Sequence, residues 1–185
     1  KINNNLRNIM KYKVIDNFLD EEYFDKLVTL FTDKGALGGN VIMPWNLCTH
    51  VTTKKAEDKL FYMASVLYNN NTPTTPLYNE LIPLLKKLDA KCLIRIKANL
   101  FPNTHTLHEH PMHTDYDYCH SGAVLSLNTC DGYTKLKDGT KIDSVANRIL
   151  LFDASEEHCS TTTTNVFARI NINMNYIQEQ FHNNY

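Results

Sequence analysis

The sequence predicts an α+β chain, mainly β, with a sandwich or barrel core and helices packed on one outer face. Three observations carry this. After Ala90 the chain breaks into short alternating segments (KCLIRIKANLF, AVLSLN, GYTKLKD, GTKI, NRILLFD, VFARININMNY) with turn signals at Asp131-Gly132 and Asp138-Gly139, the pattern of regular short strands. Before Ala90, apolar residues recur at helical spacing instead. The 185 residues, 43% hydrophobic and 21% charged, suit one globular domain with a sizeable core. We therefore read residues 1–185 as a single domain, with 1–90 as a supporting region and 91–178 as the β core.

In order, VIDNF opens as a short strand, and Asp20 caps a helix with Phe24, Leu27, Val28 and Leu30/Phe31 on one stripe. GALGGN reads as a turn. VIMPWNLCTHVTT reads as extended, with Pro44 suiting an edge or bend. KAEDKLFYMASVLY is expected to be helical and NNNTPTTP a loop. PLYNELIPLLKKLDA is a second amphipathic helix, its stripe formed by Leu77, Leu81, Leu84, Leu85 and Leu88. In KCLIRIKANLF, Cys92, Ile94 and Ile96 fall on one face and Leu93, Arg95 and Lys97 on the other.

Net charge is −1, so no overall field draws the chain to nucleic acid or to a membrane. No run approaches the roughly 18 apolar residues of a spanning helix, and the opening KINNNLRNIMKYK lacks a signal-peptide pattern. Met10 is a candidate natural start. Five cysteines with no CxxC pair do not make a disulfide framework, so a reducing, cytoplasmic setting is expected. Only four of the 19 basic residues are arginines (Arg7, Arg95, Arg148 and Arg169). Arg7 lies near the terminus, and Arg95 and Arg148 read as ordinary surface charges on strands.

The densest chemistry lies in HTLHEHPMHTDYDYCH, residues 105–120. His113 and Asp115 stand two apart, which on a strand turns both toward one face. His158 follows the apolar strand NRILLFD after a short turn. Two imidazoles and one carboxylate on one side of a metal leave three positions open, the arrangement suited to non-haem Fe(II) and O₂ chemistry. Arg169 lies eleven residues beyond His158 and shares a strand face with Asn171 and Asn173. A guanidinium there could grip a carboxylate through two charge-assisted hydrogen bonds.

From about Cys92 to Tyr176 the chain resembles the catalytic core of the 2-oxoglutarate oxygenases, in particular the prolyl-4-hydroxylase-like branch of viruses and bacteria. The matching features are HTD, the SLNTCDGYTKLKDGT hairpin, NRILLFD, His158 and the RINI strand ending in NY; VIDNFLDEEYFDKL resembles the branch's opening strand and helix. The resemblance implies a double-stranded β-helix of the jelly-roll or cupin-like kind as the catalytic core. It implies Fe(II) on His113, Asp115 and His158, 2-oxoglutarate as cosubstrate with its tail on Arg169, O₂, and ascorbate as a candidate reductant. Asn173 falls where the family often adds a polar contact to that tail, and Asn171 shares its face. Ser126 stands where many relatives have tyrosine, and arginine stands where collagen-type enzymes usually have lysine. Asp115 fills the position that related halogenases leave without a carboxylate, which favours hydroxylation.

The implied activity is hydroxylation of an unactivated C–H bond, with a prolyl residue of a peptide or protein as first expectation. Another peptide side chain, a small molecule or an alkylated nucleic acid are the alternatives. The last would want a basic groove and stacking aromatics, which the balanced charge does not advertise. In a different class stands a non-catalytic cupin-like metal-binding module using His108 and His110 with Asp115; the Pro-x-Gly turn expected before His158 is missing. His105, His108, His110 and His120 otherwise read as loop residues near the site mouth, and Cys159 as packing that points away from the metal.

Overall fold

Residues 12–32, 43–50 and 60–178 are described by a computed structural model. Arg7, Met10 and the GALGGN turn lie outside these residues, as do the ends of the extended segment around Pro44.

Eight strands form one antiparallel sheet: β1 (Tyr12–Ile15), β2 (Asn46–Cys48), β3 (Tyr62–Asn69), β4 (Thr72–Pro73), β5 (Cys92–Pro102), β6 (Ser121–Ser126), β9 (Ile149–Asp153) and β11 (Ala168–Ile177). The order is β1-β9-β6-β11-β5-β3-β2, with β4 paired to β3. A smaller sheet, β10-β7-β8, is built from β7 (Tyr133–Leu136), β8 (Lys141–Asp143) and β10 (His158–Ser160). The two sheets form the double-stranded β-helix expected from the resemblance.

The helices cover one face of the large sheet. Helix α1 (Glu21–Phe31) begins where Asp20 Oδ1 accepts from the Tyr23 N–H, and it buries Phe24, Leu27 and Phe31. Residues Pro76–Leu81 form a 3₁₀ turn that runs into α2 (Ile82–Leu88). The sequence suggested one continuous helix here. Pro83 has no N–H to donate, which confines it to a first turn and divides the segment. The leucine stripe survives the division: Leu77, Leu81, Leu84, Leu85 and Leu88 are all buried. They pack with Ile96, Ala98, Ala123, Leu125, Ile149, Ile172 and Met174 from the sheet in one cluster. The Tyr23 hydroxyl ties the helices together, donating to Glu80 O at 2.6 Å and accepting from the Leu84 N–H at 3.3 Å.

One element differs in kind. The segment read as helical, KAEDKLFYMASVLY, supplies β3, an interior strand between β5 and β2. Tyr62, Val66 and Tyr68 suit a pleated surface, and pairing with β5 from Met63 to Asn69 overrides the local helical spacing. The NNNTPTTP loop is tighter than expected. Asn70 and Asn71 take φ of 49° and 58°, a left-handed pair that asparagine tolerates and that suits a two-residue hairpin.

In β11 the odd residues, Arg169, Asn171, Asn173 and Asn175, lie opposite Phe101, Asn99, Lys97 and Arg95 of β5. The even residues Ile172, Met174 and Tyr176 enter the helix-side core. The polar face so produced turns toward the small sheet.

Candidate active site

Between the sheets lies a cavity of about 490 Å³. Tyr62, Arg95, Lys97, Asn99, Phe101, Val124, Asn171 and Asn173 line it from the large sheet, and Thr134, His158, Cys159 and Ser160 from the small one. His113, Thr114 and Asp115 close one end.

His113, Asp115 and His158 come together as expected, with one donor atom of each lying within 4.8 Å of the others. Only the means differs. HTD is not part of a named strand; a single β-bridge between His113 and His158 holds it. The backbone N–H of each donates to the other's carbonyl at 2.9 Å. The imidazoles are oriented alike, since His113 Nδ1 lies 3.2 Å from Pro111 O and His158 Nδ1 lies 3.0 Å from Glu156 O. A carbonyl only accepts, so each Nδ1 carries the proton and each Nε2 keeps its lone pair for a metal. Burial, and then the neighbouring His158, lower the His113 pKa, which keeps the ring neutral as a ligand must be.

Burial by itself would raise the Asp115 pKa. Arg95, the two imidazoles and Asn175 more than reverse that and hold the carboxyl well below its usual range. Arg95 Nη2 donates to Oδ1 at 2.7 Å, and Asn175 Nδ2 to Oδ2 at 2.8 Å. Oδ2 is also the oxygen 3.8 Å from His158 Nε2. Arg95 is thus no surface charge. The sequence signal was its alternation with Lys97 and Asn99, three polar residues on one face of a long apolar strand.

Arg169 lies beyond the opposite end, behind Thr134, and is 1% exposed. Nη2 donates to Thr134 Oγ1 at 2.9 Å and Nη1 to Thr161 O at 3.4 Å, while Nε has no partner. Among the described residues no carboxylate pairs with it. Burial draws its pKa below the usual guanidinium range. The Phe101 ring lies 5.7 Å from the guanidinium carbon.

The other expected residues divide. Asn173 lines the cavity, and its Nδ2 reaches toward Asp115 Oδ2 at 3.4 Å. Asn171 also lines it, accepting from Asn99 Nδ2 at 3.0 Å. Ser126, the cross-strand partner of Asn171 on β6, is not among the lining residues, and its hydroxyl accepts from Ser144 Oγ at 3.2 Å. Cys159, expected to point away, is among the lining residues. His108 and His110 stand apart from the metal-donor group. His110 is buried with its ring 5.3 Å from Phe101, and His108 is exposed. Lys97, on the same face of β5 as Arg95, also lines the wall. Its Nζ is 3.5 Å from Tyr62 Oη, and burial lowers its pKa to about 8.

No family model and no curated protein sequence matches the chain. Solved structures do. A Pseudomonas putida prolyl-4-hydroxylase is 14% identical, with 91% of this chain and 93% of that chain covered at a TM-score of 0.58. A Trichoplax adhaerens prolyl hydroxylase, in complex with a hypoxia-inducible-factor oxygen-degradation-domain peptide fragment, is 14% identical, with 92% and 84% covered at 0.66. The viral collagen prolyl hydroxylase of Paramecium bursaria Chlorella virus-1, as its 2-oxoglutarate complex, is 14% identical, with 89% and 94% covered at 0.54. The fold is therefore that of prolyl 4-hydroxylases and other 2-oxoglutarate–Fe(II) oxygenases.

Proposed function

We propose that this protein is an Fe(II)- and 2-oxoglutarate-dependent dioxygenase that hydroxylates a prolyl residue of a peptide or protein. The observation that carries the cofactor reading is the pairing of two features across one cavity. At one end is the His/Asp/His donor set, with His158 buried and the other two half-buried. Beyond the other end, behind Thr134, is a buried guanidinium with no acid among the described residues to neutralise it. A cation so placed is costly unless a carboxylate arrives. A short dicarboxylate with a chelating keto-acid head meets both requirements at once.

The donor set fits the metal. Two neutral imidazoles and one ionised carboxylate suit Fe(II) and leave open positions. When bound, iron and cosubstrate supply oxidative decarboxylation of 2-oxoglutarate to succinate and CO₂, coupled to insertion of one oxygen atom of O₂ into a C–H bond.

The chain's own residues perform the rest. Pro111 O and Glu156 O fix the imidazole tautomers, and Asp115 stays ionised to lend its charge. Arg169, held by Thr134, offers its donors to the distal carboxylate. Phe101 and Val124 give the wall an apolar surface that limits water around the reacting groups. Asn171 and Asn173 add polar contacts between the two ends.

The prolyl substrate rests on likeness to prolyl hydroxylases, one of them solved with a peptide fragment. Anaerobic addition of 2-oxoglutarate to the Fe(II)-loaded protein should raise a metal-to-ligand absorption band. Proline-rich peptides with O₂ should then yield succinate and a one-oxygen mass gain in the peptide. No band would overturn the cofactor reading. A band with succinate formed only on another substrate class would overturn the prolyl reading alone.

A further inference from the structure

The two oxygens of Asp115 do not have the same surroundings. Oδ1 accepts from the charged Arg95 Nη2 at 2.7 Å. Oδ2 accepts from the neutral amides of Asn175 at 2.8 Å and, more distantly, Asn173 at 3.4 Å, and faces His158 Nε2 at 3.8 Å. Arg95 Nη2 also donates to Asn175 Oδ1 at 3.1 Å, so Arg95, Asp115 and Asn175 close a ring of three hydrogen bonds. The ring is well supported. Arg95 and Asn175 are cross-strand partners on β5 and β11, Asn175 is fully buried, and the Tyr116 ring lies 5.2 Å from the guanidinium carbon.

We propose that Arg95 is a positioning residue: by occupying Oδ1 it commits Asp115 to binding the metal through Oδ2 alone. The inference rests on the oxygenase reading above. A carboxylate can ligate through one oxygen or two. In a six-position site, a second oxygen from Asp115 would take one of the three places needed by a bidentate cosubstrate and O₂. Occupying Oδ1 with a guanidinium preserves that place. The arrangement has a cost, because a fixed cation near the site repels the metal ion.

These two effects give a test with opposed signs. Co(II), stable in air, is titrated calorimetrically into wild type and Arg95→Met, and 2-oxoglutarate is then titrated into each Co(II)-loaded protein. With the cation gone and Oδ1 released, Arg95→Met should bind Co(II) about threefold more tightly or better. Its 2-oxoglutarate affinity should fall by about tenfold or more, the scale typical of groups supporting a metal ligand. The Co(II) absorption spectrum should change in shape before any cosubstrate is added.

Joint weakening of both affinities, with a lower melting temperature, would make Arg95 a support of the fold and overturn the proposal. Two unchanged affinities would overturn it as well. Should Arg95→Met not fold, Arg95→Lys keeps the cation and loses the planar fork. Its Co(II) affinity should stay near wild type while 2-oxoglutarate weakens by about threefold or more, and wild-type values for both would refute the role. Failure of the wild type to bind Co(II), or to bind 2-oxoglutarate once loaded, would instead sink the oxygenase reading.

Discussion

Replacing Arg169 with methionine should separate cosubstrate binding from everything else at the site. Arg169 is 1% exposed, and among the described residues its guanidinium donates to Thr134 Oγ1 and Thr161 O alone and leaves Nε without a partner. Both acceptors are neutral, so the charge stands uncompensated. A carboxylate arriving there gains charge-assisted hydrogen bonds and relieves that burden. Removing one partner of such a desolvated pair costs about 2–5 kcal/mol, or about 30- to several-thousand-fold in affinity. The dissociation constant for 2-oxoglutarate should therefore rise at least about 30-fold, with Fe(II) still bound. The same reasoning sets the sign of a second measurement. Without ligand, Arg169→Met should be no less stable than wild type, because the desolvation penalty leaves with the charge. Cosubstrate at about 100 times its dissociation constant should stabilise the wild type by about 2.7 kcal/mol and the variant far less. Anaerobic titration, followed by the absorption band, and thermal unfolding with and without 2-oxoglutarate read both. An unchanged titration would refute the reasoning and move the anchor elsewhere, with Lys97 first to test. A ligand-free variant that melts far below wild type would make Arg169 a structural cation.

Three further outcomes follow from the same geometry. His113→Ala and Asp115→Ala should each lose Fe(II) while keeping the wild-type circular dichroism, and full metal occupancy in either would end the assignment of the donor set. Gly132→Ala should damage cosubstrate binding from behind. An added Cβ would meet Thr162 O at 2.6 Å and Arg169 Cδ at 2.7 Å, so about 1–3 kcal/mol of stability and part of the 2-oxoglutarate affinity should go together; calorimetry showing neither loss would refute the packing argument. Lys97→Met should show a pH signature in denaturant melts. Burial, with Arg95 adding to it, lowers the Lys97 pKa from 10.5 to about 8 while Asp115 opposes the shift. The folded state thus bears the full penalty below pH 8 and is relieved as pH rises toward 10.5. The variant should be more stable at pH 7 by up to about 3 kcal/mol, the advantage fading above pH 8, whereas parallel curves would contradict it.

How much of this was legible in the sequence depended on how local each cause is. The α1 stripe and its Asp20 cap, the leucines of α2 and the alternation in β5 and β11 were readable because a few neighbouring residues specify them. β3 was not, since Tyr62–Asn69 owes its form to pairing with β5. His113, Asp115 and His158 were found from spacing, but the bridge that joins them links positions 45 residues apart and leaves no local mark. Arg95 and Lys97 were visible as a polar face on an apolar strand. Which carboxylate Arg95 would meet depended on the loop carrying Asp115. Ser126 was placed by position within the resembled hairpin, yet its partner is Ser144, across a turn whose path spacing does not reveal.

The division of β11 into asparagine-rich odd positions and apolar even positions has a consequence for how the chain finds its native pairing. A strand shifted by one residue exposes the opposite set of side chains. Here that slip would drive Arg169, Asn171, Asn173 and Asn175 among the leucines of α2 and turn Ile172, Met174 and Tyr176 toward the polar cavity between the sheets. Because β11 is flanked on both sides, by β5 and β6, the error would be felt across the middle of the large sheet at once. The residues that make the cavity polar also act as a proofreading device, making the correct alignment of the central strand the one that the rest of the fold can close upon.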